Sequence, residues 1–148
     1  MADELVRVDL TQQEDYRFAV RFGGTVPELV ADEPAPMGKG AGPSPVQLLA
    51  ASVGNCLSDS LLFALRKFKQ KPEPISCSVE AQVGRSPEGR LRVLTIKAAL
   101  TLGVPAASLE HLDRVLGQFE AFCTVTQSVG QGIAISVEVH DSTGERLK

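Results

Sequence analysis

Three cysteines stand in this chain, and two of them sit where a thiol can do more than pack. Cys56 lies at the end of the run Pro45-Val46-Gln47-Leu48-Leu49-Ala50-Ala51-Ser52-Val53-Gly54-Asn55-Cys56, and Cys123 lies in Phe122-Cys123-Thr124-Val125-Thr126-Gln127-Ser128. A cysteine in a hydrophobic helix is ordinarily inert packing. Two thiols in separate helical segments can instead be oxidised together, one as a nucleophile and one as its partner. Ser52, Asn55, Ser60, Thr124 and Ser128 are small and leave room beside them. If Cys123 opens its short helix, the unpaired backbone N–H groups there favour a thiolate. Both readings stand at this point. Cys77 falls on the apolar side of an alternating segment, and packing accounts for it.

Other chemistry has weaker support. The cysteines are isolated, without the C-x-x-C spacing of a zinc site, and no metal or organic cofactor is expected. His111 and His140 have no ligand-like spacing and read as surface or packing residues. Gly38-Lys39-Gly40-Ala41-Gly42 precedes a helix as an anion cradle would, but it lacks the P-loop order, so it gives no nucleotide site and reads equally as a flexible lid.

The elements that must place these thiols follow from pattern. Leu5–Leu10 and Tyr16–Phe22 alternate with period two and read as a hairpin around the polar stretch Thr11–Asp15. Glu28–Ala31 reads as a third short strand, and residues 32–43 as a Gly/Pro loop. Ser44-Pro45 is a helix start, with a capping serine and proline at the first helical position. From Val46 the pattern favours helix to about Lys69, apolar almost all round as far as Leu65, which describes a central, covered helix. The basic end, Arg66 to Lys71, complements the helix dipole and needs no acidic partner. Ile75–Val83 and Arg90–Leu102 read as a strand pair around Pro87-Glu88-Gly89, with a bulge where the apolar phase slips near Val93-Leu94. Ser108 is read as the cap of a second helix carrying Leu109, Leu112, Val115, Leu116 and Phe119. Cys123–Val129 is read as a short third helix and Ile133–Val139 as the last strand. The sum is an α+β domain spanning 1–148, with helices on antiparallel sheet.

Composition sets the class. The chain has 148 residues, 43% hydrophobic and 22% charged, enough for one ordinary globular core. Net charge is -3 and tryptophan is absent, so neither nucleic acid nor an anionic membrane is expected as a partner. The first residues include Asp3, Glu4, Arg7 and Asp9, unlike a signal peptide. Asn55 and Asp59 interrupt the longest apolar stretch, which reads as a core helix rather than a membrane span. Few cysteines and no leader point to the cytoplasm, where paired thiols act transiently.

The two cysteine segments together resemble the OsmC/Ohr family, named for osmotically inducible protein C and organic hydroperoxide resistance protein. The resemblance rests on G-P-S-P-x-x-L-L-A-A-x-x-G-x-C at Gly42–Cys56 and F-C-T-V-T-Q-S-V at Phe122–Val129, in this element order. It implies an intertwined homodimer with a buried central helix and a thiol peroxidase acting on organic hydroperoxides and hydrogen peroxide, with no metal or organic cofactor. Cys56 would be the peroxidatic thiol, Cys123 the resolving one, and an external dithiol the reductant. In the family a glutamate at the helix start holds an arginine over the thiolate; this chain has Val46 at that position. Arg21 is the first candidate for the arginine and Arg17 the second. The Pro-Ser-Pro start with a hydrophobic residue is closer to OsmC-like branches whose peroxidase activity is not a given. A second function therefore stays open: a dimer binding a small apolar ligand, with redox-sensitive cysteines.

Overall fold

The computed structural model describes residues 2–132, 136–141 and 143–148. It is a mixed α and β structure with antiparallel sheets, as the pattern predicts. β1 (Asp9–Glu14), β2 (Arg17–Arg21) and β3 (Leu29–Ala31) form one sheet in that order. The first strand lies later than the alternation suggests: Asp9 pairs with Arg21 and Glu14 with Arg17, so Thr11–Glu14 is strand and not loop. Asp15, at φ 50°, makes the tight turn instead. β1 is an edge strand exposed along its whole length, held by its backbone ladder, and burial leaves no periodic mark on such a strand.

The loop from Asp32 to Pro43 folds around one carboxylate. Buried Asp32 accepts the backbone N–H groups of Glu33 (2.8 Å), Lys39 (3.2 Å) and Ala41 (3.0 Å). Gly42 passes so close to the Val30 carbonyl that any Cβ would collide with it. The loop is thus built on its own anion, and the N–H groups that suggested a cradle are already in use.

α1 (Pro45–Lys67) begins in a full capping box: Ser44 Oγ accepts the Gln47 N–H at 3.2 Å, and the Ser44 N–H donates to Gln47 Oε1 at 2.9 Å. It ends at Phe68, where Lys69 turns into the left-handed region at φ 60°. By length and composition α1 would cross a membrane; here it is the helix on which the C-terminal half packs. Within the single chain only the stripe Val53, Gly54, Leu57, Leu61 and Leu65 is buried, so the expected all-round cover is not supplied by this chain alone.

β4 (Ser76–Arg85) and β5 (Leu91–Thr101) form a second antiparallel pair against α1. Gln82 pairs with Thr95 and Val83 with Val93, leaving Leu94 as the extra residue of the expected bulge. The predicted second helix is shorter and starts later. Ser108 is not its cap, because its hydroxyl donates to the Pro105 carbonyl at 2.7 Å within a 3-10 turn. His111 opens α2 (Leu112–Leu116), its ring stacked on Phe68 with centroids 4.9 Å apart. Gly117 ends α2, a 3-10 turn spans Phe119–Phe122, and α3 (Thr124–Gln131) follows with Cys123 at its N-cap. Val115, Phe119 and Cys123 close over the buried stripe of α1 as one core. In the expected last strand, Ile133–Ile135 lie outside the described residues. Val139 and His140 instead pair with Arg146–Lys148 as a small terminal hairpin.

Candidate functional site

Cys56 and Cys123 meet where α1 packs against the start of α3. Both are free thiols; Cys56 is half-buried and Cys123 is fully buried. The two thiols sit close enough that each acts on the ionisation of the other. The fold brings them together because Cys56 continues the α1 stripe one turn beyond Val53, and Cys123 caps the helix laid over that stripe.

Their surroundings divide the pair. Burial, and then the neighbouring Cys123 sulfur, push the Cys56 thiol up, while the backbone N–H groups of Val125 and Thr126 pull the other way. Burial also works against ionising Cys123, but it is outweighed. The nearby Cys56 thiol, the Thr126 hydroxyl and N–H, and the Ser60 hydroxyl together hold Cys123 below the ordinary thiol value. The protonated Cys123 thiol donates to Thr126 Oγ1 at 3.0 Å; once ionised, the sulfur accepts from that hydroxyl instead. The α3 N-terminus does face the sulfurs, as the sequence suggests.

Arg21 stands elsewhere in the chain. It lies on β2, donating to Thr11 Oγ1 at 2.6 Å and pairing with Glu28 at 3.7 Å. Arg17 pairs with Glu14 at 3.2 Å, and its Nε is buried without a partner. Neither is among the groups that set the ionisation of Cys56. Cys77 points from β4 at α1, its Sγ 3.3 Å from where a Cβ on Gly54 would stand, in keeping with packing. Among the described residues no cluster of His, Cys, Asp or Glu could hold a metal ion.

Two hollows lie on the elements that carry the thiols. A groove of 590 Å³ runs between Leu49, Val53 and Leu57 of α1, Val93–Ile96 of β5, and Thr126–Gly130 of α3. A smaller pocket of 270 Å³ starts at Ser60 and is walled by Phe63, Phe68, Phe119 and Phe122. The smaller is largely apolar, as a site for small hydrophobic molecules is, whereas Thr95, Glu120, Thr126 and Gln127 give the groove a mixed lining. Sequence reading overlooked Thr126 and Asp32. The signal for Thr126 was its place three residues after a helix-opening cysteine, where a capping partner stands.

Two free cysteines at the crossing of a core helix and a short capping helix, beside an antiparallel hairpin, are the candidate site of this α+β domain. A sequence model of the OsmC-like protein family matches residues 38–138, and the chain belongs to that family. The fold is shared with solved structures of low identity. A Psychrobacter arcticus 273-4 protein, provisionally described as an osmotic stress induced and detoxification response protein, has a TM-score of 0.71 and 20% identity, covering 85% of this chain and 89% of its own. An OsmC-like protein of unknown function from Vibrio cholerae has a TM-score of 0.69 at 14% identity, with coverage of 84% and 93%. The organic hydroperoxide resistance protein OsmC from Legionella pneumophila has a TM-score of 0.62 at 16% identity, with coverage of 87% and 91%. A search of curated proteins finds no significant match.

Proposed function

We propose that the chain is a cytoplasmic, homodimeric thiol peroxidase that reduces apolar organic hydroperoxides. The observation that carries this reading is the pair of free thiols, one half-buried and one fully buried, packed together where α1 meets the start of α3. Cys56, the reachable sulfur, attacks the outer peroxide oxygen as a thiolate. The O–O bond breaks, Cys56 becomes a sulfenic acid, and the alkoxide takes a proton and leaves as an alcohol. Cys123 then attacks the Cys56 sulfur; the S–S bond forms, the S–O bond breaks, and the hydroxide leaves as water. An external dithiol returns two electrons by exchange. Sulfur carries the whole redox change, so the reading needs no metal or organic cofactor.

The homodimer is supported by surface. The chain exposes 11420 Å², whereas a compact chain of its mass exposes about 7,300 Å². An excess of roughly 4,000 Å² is on the scale of an obligate interface. Phe63, 70% exposed on α1, is part of it, and β1–β3 make no substantial contact with α1 of their own chain. In an intertwined pair that sheet would lie on the other copy and could bring Arg21 to the thiols as the stabilising cation.

A specific observation favours a second reading. Val46 replaces the family's glutamate, and no arginine acts on Cys56, whose thiol is pushed up. The same dimer would then hold a small apolar ligand in its groove, and the cysteines would only sense oxidation. Two substitutions separate these. On the peroxidase reading Cys56→Ser loses hydroperoxide turnover by about 10²-fold or more, as loss of a nucleophile does. Cys123→Ser keeps one round of oxidation and leaves a sulfenic acid that dimedone labels. Full turnover by Cys56→Ser would sink the peroxidase assignment.

A further inference from the structure

We infer that Thr126 is the positioning residue that holds the Cys123 sulfur for the resolving step. The inference rests on the peroxidase reading and adds a residue to which neither the family match nor the cysteine motifs give a role. Cys123 occupies the N-cap of α3, where a side chain normally accepts an N–H from the first turn. Its sulfur stands where a capping oxygen would be, makes no capping bond, and turns to Thr126 Oγ1 at 3.0 Å. Ser60, one turn beyond Cys56 on α1, is a further group that favours the Cys123 thiolate. The sulfur is fully buried, so no water can replace the Thr126 hydroxyl if it is removed.

That geometry suits one task. When Cys56 has become a sulfenic acid, it has no S–H left to act on Cys123. The Thr126 hydroxyl remains as a donor to the thiolate that must attack. That bond keeps the sulfur ionised and aimed at its neighbour while the S–S bond forms and the S–O bond breaks, with hydroxide leaving as water. The oxidant is the hydroperoxide already consumed at Cys56, and no further co-reactant enters. Cys56 has no hydroxyl among the groups acting on it, only backbone N–H groups and Cys123.

Thr126→Val removes the hydroxyl at constant shape, and Thr126→Ser restores it. Under single-turnover oxidation with cumene hydroperoxide, Thr126→Val should lower the ratio of disulfide formation to sulfenic-acid formation about tenfold, the thiolate lost for a rise of one in pKa. Dimedone adduct and Cys56 sulfinic acid should rise together, and Thr126→Ser should return the ratio to the wild-type value. A second readout needs no peroxide and uses ultraviolet thiolate absorbance in a Cys56→Ser background. There Thr126→Val should make Cys123 ionise at higher pH, whereas Thr126→Ser should leave it ionising as it does beside the native threonine. A wild-type ratio in Thr126→Val, or no rescue by Thr126→Ser, overturns the inference. If the native protein loses no thiol to peroxide, the peroxidase reading fails, and the absorbance titration still decides whether Thr126 holds the Cys123 sulfur.

Discussion

Burial and the neighbouring Cys123 sulfur keep the proton on Cys56, while hydroxyl and backbone N–H groups draw it from Cys123. The reachable thiol is therefore the reluctant one and the hidden thiol the willing one. A raised pKa means a smaller thiolate fraction at neutral pH, so oxidation of Cys56 should accelerate as pH rises and keep doing so above about 8.5, the ordinary thiol value. Stopped-flow rates against pH read this directly, and a plateau reached near neutrality would contradict it. Cys56 and Cys123 were legible in the sequence because type and flanking motif marked them. Thr126 and Asp32 were not, since their importance comes from a sulfur and three N–H groups that only folding brings to them.

At the scale of elements, α1 fixes the site because its buried stripe carries Cys56 toward α3 while its other side lies on β4. Gly54 makes the second contact possible. A Cβ there would stand 2.6 Å from Val79 Cγ2 and 3.3 Å from Cys77 Sγ. Gly54→Val should cost about 2 kcal/mol or more in denaturant unfolding, since overpacking costs roughly 1–3 kcal/mol and valine regains little helix propensity. An unchanged midpoint would show that this contact is not tight. Elements with a local signal were readable: the capped start of α1, the bulge at Leu94 and the opening of α3 at Cys123. β1 was displaced because an exposed edge strand leaves no alternation, and α2 was overextended because its apolar stripe continues across the break at Gly117.

For the whole molecule, the surface left bare is what the proposed dimer would cover. Sedimentation equilibrium should give twice the chain mass of 15.8 kDa, and the unfolding midpoint should rise with protein concentration, as mass action requires of an obligate dimer. A monomer with a concentration-independent midpoint would remove the route by which Arg21 reaches the thiols. The size of the bare area was not legible in the residues, because it depends on how the elements pack. Only its cause was, an apolar helix larger than one chain can cover.

The central claim, that Cys56 and Cys123 work as a redox pair, meets its most direct test in intact mass and free-thiol count before and after one equivalent of cumene hydroperoxide, without added reductant. The account predicts the loss of two thiols, a disulfide mapped to Cys56 and Cys123, and Cys77 unchanged. Three free thiols remaining after exposure would contradict it and leave the groove, with a bound ligand, as the site to explain.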